Sequence, residues 1–459
     1  MEEAVVNKTE SGFNGLTEGN IGKKILWLSF PMILANSFDM VRNLIDAFFV
    51  GRISSESLAG VSIAGVIIFF LLTFAIGLGI GSMALLTRAF GEKNIARAER
   101  CIVQSIYVGT FTSVIIGISG FFLAPVMMKS LGADGLTLQS GIIFLKITFL
   151  GLITMFFMFQ GAMIFQSAGD SVTPMKVGII TTVINLILCP LLIFGKLGFP
   201  RLEVAGAALS TVIAQTMGSI MMVYIFVRGK HSLGIKFDNW SVDREIIKKI
   251  FIIGVPSTLQ MLLRSFSAVV LMKIVSIFGH IPVAVYGVGG RIFQFFLVPG
   301  FGFGAAAATL VGHNLGAKKV GRAEKSMLLA TWYYLIFLLV SGVLFFIFAR
   351  QVAFLFNPKD MEFVRIGTVY FRYLAVGAVF LSTGVVMSRA IQGAGDSVSP
   401  MVITGISLYL VQIPLAYVLS KLAGLNENGI WLAVLIGNII NALLMLYIFY
   451  KGSWKLKKH

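Results

Sequence analysis

Charge is what this sequence has least of. Asp, Glu, Lys and Arg make up only 12% of its 459 residues, against roughly 25% in a soluble globular domain. With 57% hydrophobic residues gathered in long runs, that shortage excludes an ordinary soluble domain and predicts a polytopic membrane protein. Cysteine is nearly missing. Cys101 and Cys189 lie far apart without metal spacing, which excludes a disulfide framework and a zinc site. The four histidines, His231, His280, His313 and His459, form no metal pair, and no phosphate-binding P-loop occurs. No catalytic constellation is left, so the chain is expected not to be an enzyme or an ATP-driven pump. No cofactor is expected beyond a sodium ion. The first two dozen residues carry Glu2, Glu3, Glu10 and Glu18 and no apolar core, so no cleavable signal peptide is expected. Asn7-Lys8-Thr9 is a sequon by composition and is read as chance on a cytoplasmic tail.

Negative charge is the scarcer sign, with 20 carboxylates against 37 Lys and Arg, a net +17. The distribution of the excess argues against a nucleic-acid partner. Arg88, Lys93, Arg97 and Arg100 form one basic group. Arg228, Lys230, Lys236, Arg244, Lys248 and Lys249 form a second, and Lys318, Lys319, Arg322 and Lys325 a third. The tail adds Lys451, Lys455, Lys457 and Lys458, while the loops near 52–57, 128–139, 277–283 and 421–428 have few. This alternation is the positive-inside pattern. It predicts a multi-pass membrane protein, surrounded by lipid, with both termini and the three basic loops cytoplasmic.

Apolar runs of spanning length fall at 25–50, 58–86, 102–127, 140–166, 173–195, 203–227, 247–279, 282–310, 327–349, 363–392, 400–423 and 428–450. The expected fold is all-α, with twelve transmembrane helices. The second half repeats the first. Gly91 in Arg88-Ala89-Phe90-Gly91 aligns with Gly316 at an offset of 225, which also relates Pro31 to Pro256 and Arg97 to Arg322. Ala168-Gly169-Asp170-Ser171-Val172-Thr173-Pro174 returns as Ala394-Gly395-Asp396-Ser397-Val398-Ser399-Pro400 at an offset of 226. Six helices per repeat is an even number, so the halves share orientation and form two pseudo-symmetric bundles. The expected organisation is an N-terminal tail (1–24), a first bundle (25–227), a cytoplasmic linker (228–246), a second bundle (247–450) and a basic tail (451–459). A substrate site between the bundles is expected.

The few intramembrane charges are concentrated in the first apolar run. At about 100° per residue, Asn36, Asp39, Arg42, Asn43 and Asp46 fall within an arc of roughly 120°. A charge at the centre of a membrane helix costs about 2.5–3.5 kcal/mol on insertion scales, so this strip is expected to face protein or a water-filled cavity. Arg42 is placed to pair with Asp39 (i−3) and Asp46 (i+4). Two carboxylates and one guanidinium leave one negative charge, which a proton or small cation could balance. The repeat fails here: Asp39 maps to Arg264, Arg42 to Ser267 and Asp46 to Leu271. Asn185 with Cys189 one turn on, and Thr211, are further candidates for the Asp46 site. Arg264, Lys273 and Arg291 are cations of the second half; snorkelling to an interface is the plainer account of any of them, but Arg264 is the hardest to dismiss, lying at the depth of Asp39, and Arg264 and Arg291 are candidate substrate-binding residues. Asn36, Met40, Met158, Met217 and Met261 are candidates to line an adaptable pocket, although such stripes are usually core or lipid face.

Other motifs have plainer readings. In the Gly-Asp-Ser-Val-Thr/Ser-Pro loops, Gly169 and Gly395 supply a turn, Thr173 and Ser399 suit an N-cap, and Pro174 and Pro400 the first helical position. Arg97 with Glu99, and Arg322 with Glu324, brace cytoplasmic turns. Gly77, Gly79, Gly81, Gly300, Gly302 and Gly304 permit close packing or bending.

Together, the duplicated six-helix pattern, the first-helix proline, Asn43-Leu44-Ile45-Asp46-Ala47-Phe48-Phe49-Val50-Gly51, Ala59-Gly60-Val61-Ser62-Ile63-Ala64-Gly65, Arg88-Ala89-Phe90-Gly91 and the repeated Gly-Asp-Ser loops resemble the multidrug and toxic compound extrusion family. The similarity is nearest to the prokaryotic branch related to the DNA-damage-inducible exporter, and it covers nearly the whole chain. It implies a monomeric antiporter that exchanges organic cations and other amphipathic compounds for protons or sodium. The family's first-helix acid matches Asp46, and its fifth-helix Asn matches Asn185. Where that branch often has a second acid, this chain has Cys189, which leaves the coupling ion open and suggests that Asp39 compensates. A related flippase of lipid-linked sugar precursors, favoured by Arg264, Lys273 and Arg291, is the alternative.

Overall fold

Helices account for nearly all of the backbone in the computed structural model, which describes residues 15–227 and 240–457. The sequon, Glu2, Glu3 and Glu10, the linker cations Arg228, Lys230 and Lys236, and Lys458 with His231 and His459 lie outside the described residues. In chain order the long helices are α1 (Ile21–Gly51), α2 (Ser55–Gly91), α3 (Ile95–Ser130), α4 (Gly135–Leu150 and Leu152–Ser167), α5 (Val172–Phe194) and α6 (Glu203–Val227). The second series is α7 (Arg244–Phe278), α8 (His280–Gly316), α9 (Val320–Ile347), α10 (Met361–Gly393), α11 (Val398–Leu422) and α12 (Asn426–Lys451). Ten of them are long and apolar enough to span a bilayer, and α4 becomes an eleventh when its two pieces, bent by 55°, are taken as one. The remaining helix is α1. Its 31 residues reach about 46 Å at roughly 1.5 Å per residue, ample for a hydrocarbon core of about 30 Å. Its polar strip lowers its hydropathy below that of the others. The described residues thus supply the twelve spans expected from the sequence.

Capping sets the helix starts. Ser54 accepts the Ser57 N–H at 3.0 Å to open α2, and Asn94 accepts the Arg97 N–H at 2.9 Å to open α3. The duplicated loops differ from expectation in which residue caps. α5 and α11 begin at Val172 and Val398, two residues before the prolines. The acceptors are Asp170, which takes the Val172 and Thr173 N–H groups at 3.0 Å each, and Asp396, which takes the Ser399 N–H at 3.2 Å. Thr173 and Ser399 instead donate their hydroxyls to these carboxylates at 2.6 Å. A carboxylate offers two acceptors and a charge to the positive end of the helix, so it displaces a hydroxyl from the capping role. Gly169 and Gly395 make the turn at φ of +90° and +97°. The α2–α3 and α8–α9 turns repeat as faithfully: their left-handed residues are Lys93 and Lys318, at φ of +56° and +59°.

Two compact units result, Met1–Leu16 with Phe30–Val255, and Thr17–Ser29 with Pro256–His459. Their edges fall beside Pro31 and Pro256, the repeat-related prolines, rather than at the 228–246 segment. In the first unit, Gly81 of α2 meets the early part of α7 so closely that a Cβ would lie 2.4 Å from the Ile250 carbonyl oxygen. In the second unit, buried aromatics organise the core, with Tyr334 donating its hydroxyl to the Phe296 carbonyl at 2.6 Å. α10 carries a π-helical turn at Ser382–Met387, and α11 carries two, at Ile406–Gln412 and Val418–Leu422. None of these was expected from the sequence.

Candidate functional site

The α5–α6 pair forms the back wall of the site in the first unit. The two helices meet backbone to backbone, because Gly206 has no side chain: a Cβ there would lie 2.6 Å from the Leu192 carbonyl oxygen. This close approach lets short polar side chains reach across. Asn185 of α5 donates its amide to Thr211 at 3.1 Å and to Ser210 at 3.4 Å. Both hydroxyls lie within bonding distance of the Ala207 carbonyl, 2.8 Å for Ser210 and 3.2 Å for Thr211. Asn185, Cys189 and Ser210 are fully buried.

Asp46 of α1 completes the cluster. Its carboxylate lies beside the Cys189 thiol and the Thr211 hydroxyl, with Arg42 within electrostatic reach. Two oxygens here are buried without a hydrogen-bond partner, Oδ1 of Asp46 and Oδ1 of Asn185. A buried acceptor with no donor is costly, by about 1–3 kcal/mol and more when charged. The arrangement therefore favours whatever can supply a proton or a positive charge. One turn along, Val50, Cys189, Ile193 and Ala207 form a buried apolar cluster covered by Phe49 and Phe194, which closes that end of the site.

The sequence-derived strip is only partly gathered. Arg42 pairs with Asp39, Nη2 to Oδ1 3.4 Å, but makes no such pair with Asp46. Its guanidinium points toward the i−3 carboxylate, and its Nε is left buried and unbonded. Asp39 is exposed and paired with Arg42, and Asp46 lies outside that ion pair. Asn36 is half-buried, whereas Met40 and Asn43 are exposed. Met158 packs onto the buried core of the first unit and against the position of Gly218, while Met217 on α6 is exposed. In the second unit Met261 is half-buried and Arg291 exposed. Arg264 lines a small pocket there with Thr404, Asn438 and Asn441. Sequence reading missed Ser210, whose signal was its position beside Thr211 on a helix face rich in small residues. It also missed Asn438 and Asn441, which are one turn apart on an otherwise apolar α12.

Comparison with known proteins gives a consistent picture. The MatE family profile matches residues 31–191 and 256–418, one copy in each repeat, each beginning at its proline. The chain is 27% identical over 435 residues to the probable multidrug resistance protein YoeA of Bacillus subtilis, covering 93% of both chains. It is 26% identical to a protein of Shewanella oneidensis named as an FAD transporter, covering 95% of this chain and 96% of that one. Among solved structures, the outward-facing conformation of a multidrug resistance MATE family transporter of the MOP superfamily superposes with a TM-score of 0.90 at 26% identity, covering 98% of this chain and 99% of that one.

Proposed function

The chain belongs to the MatE family, and on that premise we propose that it is a cation-coupled antiporter that exports organic cations and amphipathic compounds by alternating access. That it is a membrane transporter follows from the family and the twelve spans. The coupling is our reading, and the orphaned, buried oxygens of Asp46 and Asn185 carry it. Asp46 holds the exchanged ion. With Arg42 paired to Asp39, Asp46 has no ion-pair partner of its own among the described residues, and the exchanged ion supplies one. A proton on Asp46 would turn its oxygen into a donor. Sodium would find oxygen ligands from Asp46, Asn185, Ser210 and Thr211, which suit a hard cation, with the Cys189 sulfur beside them as a poor one. Substrate release and ion binding are then linked, because each ligand shifts the balance between conformations by its differential affinity for them.

The lipid-linked-precursor flippase is not favoured by the family match. The relatives' names include multidrug exporters and one FAD transporter, so the solute class is broad, with amphipathic planar molecules inside it. The test is ethidium efflux from proteoliposomes under a proton gradient or a sodium gradient, each imposed alone. One gradient should drive efflux in the wild type. Asp46→Asn should reduce gradient-driven efflux at least tenfold while the protein stays folded and monomeric in detergent. Wild-type rates from Asp46→Asn, or efflux indifferent to both gradients, would overturn the coupling assignment.

A further inference from the structure

The interior of the second unit has the opposite polarity to the Asp46 site. From Pro256 to the C-terminus there are five carboxylates, Glu324, Asp360, Glu362, Asp396 and Glu427, all near helix ends. None lies in the middle of a span. Arg264 does, standing where the repeat places Asp39; Arg389, where the repeat places Met163, lies in the last turn of α10, close to Gly393. Among the described residues neither arginine pairs with a carboxylate. The two are close enough for their charges to repel, and Arg389 is held only over the Phe301 ring, 5.7 Å to its centroid.

Arg264 lines a small pocket whose other polar members are Thr404, Asn438 and Asn441. Part of its lining is π-helical, Gly384 and Val385 of α10 and Leu408 of α11, whereas Phe380 and Leu381 of α10 and Gly437 of α12 are α-helical. Single π-turns of this kind are frequent at functional sites. A second small pocket shares Asn438 and is walled by Phe293, Tyr370, Tyr373 and Trp431. In its wall Tyr370 and Trp431 lie against each other, 4.0 Å between centroids.

A guanidinium with no carboxylate partner, sharing a largely apolar pocket with two amides and a hydroxyl, is complementary to phosphate or carboxylate, which it can bind through two parallel N–H groups. Flat aromatic walls next to it suit a planar ring. We propose that the second unit binds the anionic head group of an amphipathic, planar aromatic solute, with Arg264 holding the anion and the Tyr370–Trp431 wall facing the ring. This rests on the reading that the chain exports amphipathic solutes and extends their class from cations to planar anions.

The test is equilibrium binding, which needs no gradient, so its failure leaves the Asp46 reading untouched. The full-length protein in phosphatidylcholine nanodiscs is titrated by flavin anisotropy with FMN and with riboflavin, which share a ring and differ in the phosphate. FMN should bind at least tenfold more tightly. Arg264→Gln should erase that preference while leaving riboflavin affinity within twofold, which also reports that the variant is folded, and Arg264→Lys should keep part of it. Discs containing phosphatidylglycerol separate a soluble anion from a lipid head group: undiminished FMN affinity supports the solute. Loss of FMN binding in those discs assigns the pocket to lipid and overturns the proposal. So would equal affinities of the wild type for FMN and riboflavin, no flavin binding at all, or a phosphate preference that survives Arg264→Gln.

Discussion

Asp46 and Cys189 show how one side chain changes a site's chemistry. Cys189 is a buried thiol against a buried carboxylate, and a thiol is a poor ligand for a hard cation. Cys189→Asp would set a second carboxylate there. Two like charges at contact in a low-dielectric site repel strongly unless a cation lies between them. The expected outcome is sodium-dependent thermal stabilisation of the purified variant, a rise of several degrees between sodium-free and saturating buffer, with little change in Cys189→Ser. No sodium response in Cys189→Asp would show that the two side chains do not share a cation. Asn185→Ala tests the other orphaned oxygen. It also strips Ser210 and Thr211 of their amide donor, at a cost of about 1 kcal/mol in stability, and it should lower gradient-driven ethidium efflux at least fivefold. At this scale the sequence was informative about Asp46, Asn185 and Thr211, because a polar group in an apolar run must have a reason. For Arg42 it gave one partner correctly: helical spacing permits both the i−3 and the i+4 carboxylate, side-chain packing decides between them, and the ion pair forms with Asp39.

Helices are fixed by their small residues as much as by their apolar ones. A Cβ at Gly81 would meet the Ile250 backbone oxygen at 2.4 Å, whereas at Gly65 it would meet nothing within 4 Å. Gly81→Ala therefore forces α2 and the start of α7 apart, at the roughly 1–3 kcal/mol typical of overpacking. Gly65→Ala removes only backbone freedom and should be neutral or stabilising by up to about 1 kcal/mol. Thermal unfolding of the two variants in the same detergent checks the contrast, and equal midpoints would show that α2 and α7 have room to move. The comparison also explains what was legible. Span number, repeat and turns follow from hydropathy and from loop motifs, which are local. The 55° bend in α4 does not. It falls at Gly151, where a Cβ would collide with Val212 at 2.4 Å, a contact made with α6 more than 60 residues on. The π-turns of α10 and α11 are illegible for the same reason, since one extra residue per turn leaves the apolar composition of a span unchanged.

Across the molecule, the repeat preserves backbone and inverts charge. Lys93 and Lys318 take the same left-handed turn, and Gly169 and Gly395 the same loop, yet Asp39 in one repeat is Arg264 in the other. Conserving the turns keeps orientation the same in both halves, and orientation is set by the basic residues around those turns. Arg88, Lys93, Arg97 and Arg100 surround the α2–α3 turn, and Lys318, Lys319, Arg322 and Lys325 the α8–α9 turn. Each such residue near an anionic leaflet is worth about 1 kcal/mol, so these two groups, joined on their side by Lys23, Lys24, Arg244, Lys248, Lys249, Lys451, Lys455 and Lys457, outweigh Arg52, Lys129, Lys196, Arg201, Lys273, Arg350, Lys359 and Lys421 beside the opposite turns. With twelve spans both termini share the side of the basic turns, which we place in the cytoplasm. Alkaline phosphatase is active only outside it, so a fusion after Gly132 should be active, and fusions after Lys93 and after Lys457 inactive. A fluorescent protein at the C-terminus should mature. Activity after Lys93 would reverse the orientation and put the Asp46 site on the opposite route for its ion, because the bundle that holds the carboxylate would then face the other way in the membrane.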